Sequence, residues 1–587
     1  MKTKLFSNTD VQHTVHRSGY DLSEKVNFTA KAGELLPIYH RTVMPGDNFK
    51  INPKLFTRTS PAVSCPFTQI KEYVDFFYVP YRQLWRNAPQ IFTKNTQNSL
   101  SATSPYQSQT VSDKGAYITF SALFNGSSQD NPFRILHDKI NQFGYNRSLL
   151  AAKLLSYLGY SYISSSVVEQ IAGGHNYSSP NLPQQISAFP LLAYHKIYND
   201  FFRNSRWENS VPYNFNIDYS NIGAIYFPNA SHAFWNSPTL FDLHYANFPK
   251  DIFFGMLPSS QLGEDVVLQT LHPDQGSSEV AVRSGKQNVV AGTPQSGGGN
   301  VVTGNAGALT LHDPLYVSLD TIVADLEGSL KYLDIRQAQF LQHYKEVVGS
   351  GNLDYPTIIK KIFGYDVNET LTGNVTYLGG NTNVIQFNEQ VNSNLGSDGL
   401  PEIKATGKGS SNDEFIDFTV PEHGIIMAIY HAMPVVDFAT DGFHFDLTKV
   451  SIDDYANPTF DTLGFQQMKA VNFYAGIESK NVPYGSIGFN VRFADYKSGF
   501  DRVLGDFRET QKQWLAPVNL DYLKDHLQGQ GVMKIDATTF QCDPSVLDPI
   551  FSVKVDSTVS TDQFLCQVNF DIQAVRCLDR TGMPKDF

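Results

Sequence analysis

Hydrophobic and polar positions along this 587-residue chain either alternate strictly or cluster, and each pattern predicts a different element. Val74, Asp75, Phe76, Phe77, Tyr78 and Val79 are nearly all β-branched or aromatic, and Pro80 ends the run because it has no N–H for a sheet ladder. Apolar side chains on both faces predict a strand buried between layers. Upstream, Pro45-Gly46-Asp47 predicts a tight turn, with Pro fixing φ and Gly accepting a positive one. Near the C-terminus, Phe564, Cys566, Val568, Phe570, Ile572 and Ala574 alternate with Gln567, Asn569, Asp571 and Gln573, a strand with one wet face. Ile487, Phe489, Val491 and Phe493 alternate with Asn490 and Arg492 in the same way, and Thr419–Phe438 reads as a pair of buried strands.

Helical spacing appears in fewer places. Leu150, Leu154, Tyr157 and Leu158 predict a helix over Arg147–Gly159, stopped by the glycine. A second helix starts at Pro190, with Leu191, Tyr194, Ile197, Tyr198 and Phe201 on its apolar face. His195, Lys196, Asn199, Arg203 and Arg206 fall largely on the other sides. A third stripe, Leu326, Leu330, Leu333, Phe340, Leu341, Tyr344 and Val348, predicts a helix over Ala324–Val348, and Tyr355–Gly364 predicts a short one.

Between these elements lie polar stretches. Residues 1–32 read as an arm, 95–185 as a Ser/Asn/Gln/Pro-rich insertion carrying a helix, and 388–415 as a polar, Gly-rich loop. Within 272–312, Gln275–Ala308 has eight glycines and no aromatic residue, too little apolar surface to order itself, and is expected as an insertion loop.

Composition sharpens the picture. Charged residues are only 17% and aromatics 13%, which argues against disorder and for large sheet or subunit interfaces. The net charge of −12 excludes a polycation. Cys65, Cys542, Cys566 and Cys577 form no CxxC pair and no disulfide framework, as expected of a chain folding in a reducing cytoplasm. No apolar h-region opens the chain and no run of about 18 apolar residues is present, so neither secretion nor membrane insertion is expected.

Candidate chemistry is sparse. Glu422, His423, His431 and Asp437 are metal-ligand types, but in a strand the two histidines stand about 26 Å apart at roughly 3.3 Å per residue. Ser296–Asn300 and Arg283–Gln287 fall short of a phosphate-loop spacing. No nucleophile elbow and no HExxH occurs, so no catalytic, cofactor or metal residue is assigned and no enzyme activity is expected. Arg203, Arg206 and Trp207, and separately Arg502, Arg508 and Trp514, place basic groups beside flat rings, a combination that holds phosphates and stacks unpaired bases. The alternative for both is a surface patch with snorkelling arginines.

Eight segments carry a resemblance. GELLPIYHRTVMPGDNF, VDFFYVPYRQLW, AYHKIYNDFFRN, MLPSSQLGEDV, YPTIIKKIFG with YLGG, VPEHGIIMAI, NPTFDTLGFQ and NVRFADYKSGFDRVLGDFR run in order from Gly33 to Arg508. Together they resemble the major capsid protein of the Microviridae, small icosahedral single-stranded DNA bacteriophages, in its gokushovirus-type branch. In that family's pattern the short helix is followed by an LGG turn. The resemblance does not cover about 95–185, 272–312 or 388–415. It implies a mainly β chain, one eight-stranded antiparallel jelly-roll domain over 1–587 with long loop and helix insertions. It further implies pentamers and a sixty-copy T=1 shell in the virion, assembled in the host cytoplasm around a circular single-stranded DNA genome, with surface insertions contributing to attachment to a host receptor. A small basic DNA-packaging protein, and pilot or spike proteins, are implied as partners. Charge agrees: sixty copies carry about −720, so this chain does not neutralise a genome alone. The runner-up is a β-sandwich carbohydrate-binding protein or glycoside hydrolase, disfavoured because no signal peptide is expected and no carboxylate pair is marked by its context. A DNA-processing enzyme is disfavoured by the acidic balance.

Overall fold

The computed structural model describes residues 16–86, 88–93, 115–119, 123–127, 131–176, 185–210, 239–263, 282–284, 287–289, 315–317, 332–350, 352–367, 372–391, 403–410, 415–437, 442–461, 463–473, 486–499, 501–518, 537–551, 554–556 and 559–580. The chain divides into two compact units, one of residues 1–258 with 352–587 and one of Ser259–Gly351.

The larger unit is built on ten antiparallel strands: β1 (Ser18–Asp21), β2 (Glu24–Ala30), β3 (Leu36–Val43), β4 (Asn48–Thr59), β5 (Ile70–Pro80), β6 (Thr376–Val391), β7 (Ile403–Ser410), β8 (Ile416–Thr419), β9 (Gly424–Pro434) and β10 (Phe564–Arg576). One layer runs β2-β10-β4-β7, with β1 also on β10 and β8 also on β4. The other runs β3-β9-β5-β6, and pairing of β6 with β7 joins them into one curled sheet. This is the double-sheet jelly roll, with two insertions: residues 81–375 between β5 and β6, and residues 435–563 between β9 and β10.

The predicted central strand is β5. It lies between β6 and β9 and is buried on both faces; Val74 and Phe76 through Val79 are inaccessible. Phe76 faces inward, with its ring centroid 5.9 Å from that of Phe570 on β10. Phe77 faces the other way, against Phe201 and Phe202 at 4.9 and 5.8 Å. The Pro45-Gly46-Asp47 turn forms with Gly46 at φ +80°, and the Asp47 carboxylate accepts from the Met44 N–H and from Arg576 at 2.9 Å. The turn is thereby tied to β10.

Several expected loops are structured. Within the arm read over 1–32, Ser18–Asp21 and Glu24–Ala30 are sheet: Val26, Phe28 and Ala30 of β2 point inward while Lys25, Asn27 and Thr29 point out, a short period-two pattern that its polar members obscured. The expected loop 388–415 contains the end of β6 and all of β7, whose inward positions are Ala405, Gly407 and Gly409 and so give no apolar signal. The YLGG turn is a β-bulge, with the β6–β5 register shifting between Tyr377 and Gly379. Within the Gly-rich tract, Val282–Ser284 pairs with Gln287–Val289 and with Leu315–Val317; the rest of that tract lies outside the described residues.

In the first insertion, α1 (Arg147–Tyr157) starts at an Asn146 cap, whose side chain accepts from the Ser148 N–H at 2.9 Å, and stops at Gly159 with φ +80°. Beside it, α2 (Ser165–Ala172) contributes Val168 and Ile171 to a core with Leu123, Phe133, Leu136, Leu154 and Leu155. The helix predicted at Pro190 is α3 (Phe189–Ile197), which continues as a π-turn over Tyr198–Phe202. His195 and Lys196, placed by spacing away from the apolar face, are buried, while Phe201 is exposed. The helix is covered on several sides because it lies between β5, β9 and the rest of the insertion. The alternation predicted from Ile487 stops early: the strand is Ser486–Val491, Val491 is exposed, and Phe493 starts a helical turn in the left-handed region.

Lys153 on α1 fastens insertion to barrel. Its Nζ lies 2.6 Å from Glu34, before β3, and 3.1 Å from Asp562, before β10. Burial pulls this ammonium down, but the two carboxylates outweigh it and hold it above its ordinary value. In the smaller unit, α4 (Tyr332–Gly349) leaves Phe340, Leu341 and Tyr344 of the predicted stripe exposed.

Candidate nucleic-acid interface

The first basic-aromatic group sits where the π-turn leaves α3. Arg203 donates to the carbonyls of Asn199 (3.2 Å) and Glu208 (2.7 Å). The Trp207 indole N–H donates to the Met256 carbonyl at 2.7 Å, and its ring lies 4.9 Å from Phe540. Burial lowers the pKa of Arg206, and burial together with Arg206 and Lys250 lowers that of Lys361 on α5 (Tyr355–Phe363). Arg203 and Trp207 therefore already bind the chain to itself.

The second group is more open. Trp514 donates its indole N–H to Gln511 (2.9 Å) and packs at 5.5 Å on Phe67, which in turn meets Phe507 at 6.1 Å. Phe67 is 69% exposed, and Arg502 is exposed beside this ring cluster in the chain. Arg508 closes the short helical turn that carries Phe507. The structure brings the turn that ends at Arg508 against the turn that ends at Trp514 and adds Phe67 and Phe507, which spacing did not bring to them. A third basic group stands on the outward face of β2, β10, β4 and β7. Its residues are remote in sequence, and only the period-two pattern of each strand would have found it.

Three groups of buried titratable side chains lie inside the chain. Inside the barrel, Glu72 accepts from Thr57 (2.6 Å), Asn383 (2.6 Å) and Tyr430 (3.1 Å); burial raises its pKa and these bonds oppose the rise. On the opposite face of the same sheet, burial lifts Asp75 to about 6 against a hydrogen bond from Tyr377, and pushes His431 down to about 3. His431 stacks on Tyr73 at 4.7 Å with Nδ1 3.8 Å from Asp75. Behind α3, His195 donates from Nε2 to the Leu240 carbonyl at 2.6 Å, so its Nδ1 accepts from His244 Nε2 at 2.9 Å. Burial lowers His195 to about 4 and His244 further, which keeps both rings neutral.

The metal-type residues read from the sequence have other occupations. Glu422 takes both contacts from Arg82 Nε, His423 stacks on Phe92 at 3.8 Å, and Asp437 accepts from Thr68. Among the described residues no group of three or more His, Cys, Asp or Glu converges as a metal site. No described helix is long and apolar enough to cross a membrane.

The second insertion exposes large apolar side chains in a short span: Leu447 at 70%, Val450 at 87% and Ile452 at 86%, with Phe443, Tyr455 and Leu463 also open. An apolar concentration of this kind marks a protein–protein contact surface. The helix α5 has no buried residue at all, and exposes Tyr355, Ile362 and Phe363.

The fold defines the class as a double-sheet jelly roll, the architecture of viral capsid and lectin domains. The chain belongs to the phage capsid protein family (F protein), whose model matches residues 9–126 and 175–585. It is 24% identical over 524 residues to "Capsid protein VP1" of Bdellovibrio phage phiMH2K, covering 86% of this chain and 84% of the relative. It is 22% identical over 535 residues to "Capsid protein VP1" of Chlamydia phage 1, covering 84% and 85%. A third "Capsid protein VP1", of Spiroplasma virus 4, is 21% identical over 446 residues, covering 71% and 69%. These relatives are structural proteins, and the family implies assembly into an oligomeric shell and a place in the virion.

Proposed function

We propose that this chain is the major capsid protein of a small single-stranded DNA phage, assembling through pentamers into a sixty-copy T=1 shell around a circular genome. The observation that supports this reading most is the family match across nearly the whole chain, on a jelly roll whose second insertion leaves its apolar residues uncovered. Covering such surface against copies of itself is the way a chain with so few charges stays in solution. Assembly takes place in the host cytoplasm. The shell's acidic balance calls for a separate small basic packaging protein, along with mobile cations, and pilot or spike proteins complete the particle. Residues 272–312 form part of a surface insertion that contacts a host receptor; shortening this tract is expected to leave shells intact and alter infection. The Arg502, Arg508, Trp514 group takes part in holding the genome, as do Arg203 and Arg206 where they reach the inner wall.

Expression of the chain followed by negative-stain microscopy and mass measurement tests the proposal. Uniform shells of roughly 4 MDa are expected from sixty copies of 65.6 kDa. A monodisperse monomer at high concentration contradicts it.

A further inference from the structure

The geometry points to the outward face of the β2-β10-β4-β7 layer as a binding platform for single-stranded nucleic acid; this rests on the capsid reading and names the surface that meets the genome. Period-two registration puts one set of side chains on this face. Arg58 stands opposite Leu565 on β10 and opposite Lys408 on β7; Phe56 stands opposite Gln567; Lys54 stands opposite Asn569, which is itself opposite Lys25 on β2. All four cations are exposed, and Phe56 is 40% exposed with the Arg58 guanidinium 5.5 Å from its ring centroid. Among the described residues no carboxylate pairs with Lys25, Arg58 or Lys408. Of the carboxylates on this face, Asp21 and Asp417 lie toward its other end, around Lys50, and Asp571 stands opposite Asn52, at the edge of the cationic half beside Asn569 and Lys54.

The chemistry of this half-face selects its partner. Neighbouring strands lie about 4.8 Å apart and same-face positions about 6.7 Å apart along a strand, so Lys25, Lys54, Arg58 and Lys408 form a cationic grid roughly 10–15 Å across. Such a grid attracts a polyanion. Asn27, Gln567 and Asn569 between the cations offer amide donors and acceptors to base edges and phosphates. Phe56 with its Arg58 is a stacking surface for an unpaired base, which a duplex does not present. A small basic packaging protein is repelled by the same grid. A second copy of this chain finds no apolar patch here beyond Phe56 and Leu565.

The test uses the full-length chain, a fluorescein-labelled oligothymidylate and a salt titration of its binding. In Lys54→Gln/Arg58→Gln/Lys408→Gln, affinity should fall at least tenfold, and the slope of log K against log salt should lessen by about 2, from ~0.7 per phosphate contact. Phe56→Ala should weaken binding about tenfold with the salt slope kept. Asp571→Lys, which extends the grid, should strengthen binding, so the inference stays falsifiable even if the triple variant misfolds. Unchanged affinity in the triple variant, or no gain from Asp571→Lys, overturns the inference. If wild-type chain forms shells but binds no oligonucleotide, the inference falls and the capsid reading stands. If the triple variant folds but loses empty-shell assembly, the face is a subunit contact, and again only the inference falls. If wild-type chain forms no shell, the capsid reading itself falls.

Discussion

The two layers of the barrel are made of similar strands and meet opposite fates. In β9 every one of eleven residues is buried, and β5 is nearly the same, because α3 and the first insertion lie over the layer's outward face. In β10 the burial pattern alternates residue by residue, and in β4 it does so over Lys54–Thr59, because the described chain leaves that layer's outward face open. The helices α1 and α3 of the first insertion have turned one sheet into an internal wall, while among the described residues the other keeps a free face. Each kind of residue is tolerated on a different side: Asp75, His431 and Phe77 are buried on the covered side, whereas Lys54, Arg58 and Asn569 are exposed on the open one.

The contrast can be broken most forcefully on the covered side. Phe77→Ala empties a site ringed by Phe201, Phe202 and Tyr377, and should cost about 3–5 kcal/mol. An unfolding free energy, from denaturant titration, lowered by less than a third of that would mean the insertion does not pack as a wall. Lys153→Ala removes the cation between Glu34, which is 1% exposed, and Asp562, and a loss of about 3–5 kcal/mol is likewise expected from leaving a buried carboxylate unpaired. If Lys153→Ala melts at the wild-type temperature, the insertion is not fastened there.

Asp75 gives the covered side a pH signature. Its carboxyl is raised from 3.8 to about 6 by burial, so between those values the unfolded chain has released a proton that the folded chain keeps. Stability from this group is fully present below pH 3.8 and is lost as pH rises to about 6, by an amount on the order of 2–3 kcal/mol. The melting temperature of wild type minus that of Asp75→Asn should therefore fall as pH climbs from 4 to 6. A difference that stays flat would place Asp75 in water.

Gly407→Ala probes the seam between the layers. An added Cβ would lie 2.7 Å from Ile385 and from Thr59, which predicts a loss of about 1–3 kcal/mol by the same denaturation measurement. On the open face, Asn569→Ala should stay within about 0.5 kcal/mol of wild type. A larger loss there would mean that something in the folded chain already covers that face.

Legibility followed the same division. The covered strand β5 and the alternating β10 were readable because their side-chain patterns are unbroken and local. The strand β7 was not, since its inward positions Gly407 and Gly409 are kept small by Thr59, Glu72, Asn383 and Ile385, and a core strand without apolar side chains reads as a loop. The burial of His195 depends on partners at Leu240 and His244 that no helical spacing reveals. The basic residues grouped by proximity in sequence, Arg203 with Trp207, proved to be engaged by their own chain. Lys25, Lys54, Arg58 and Lys408 come together only through sheet register.

The most direct test is a cryo-electron microscopy reconstruction of DNA-filled particles. It should show sixty copies in a T=1 shell, with Lys54, Phe56, Arg58 and Lys408 on the inner wall and nucleic-acid density against them. Particles in which that face looks outward, or is buried between subunits, would contradict the account.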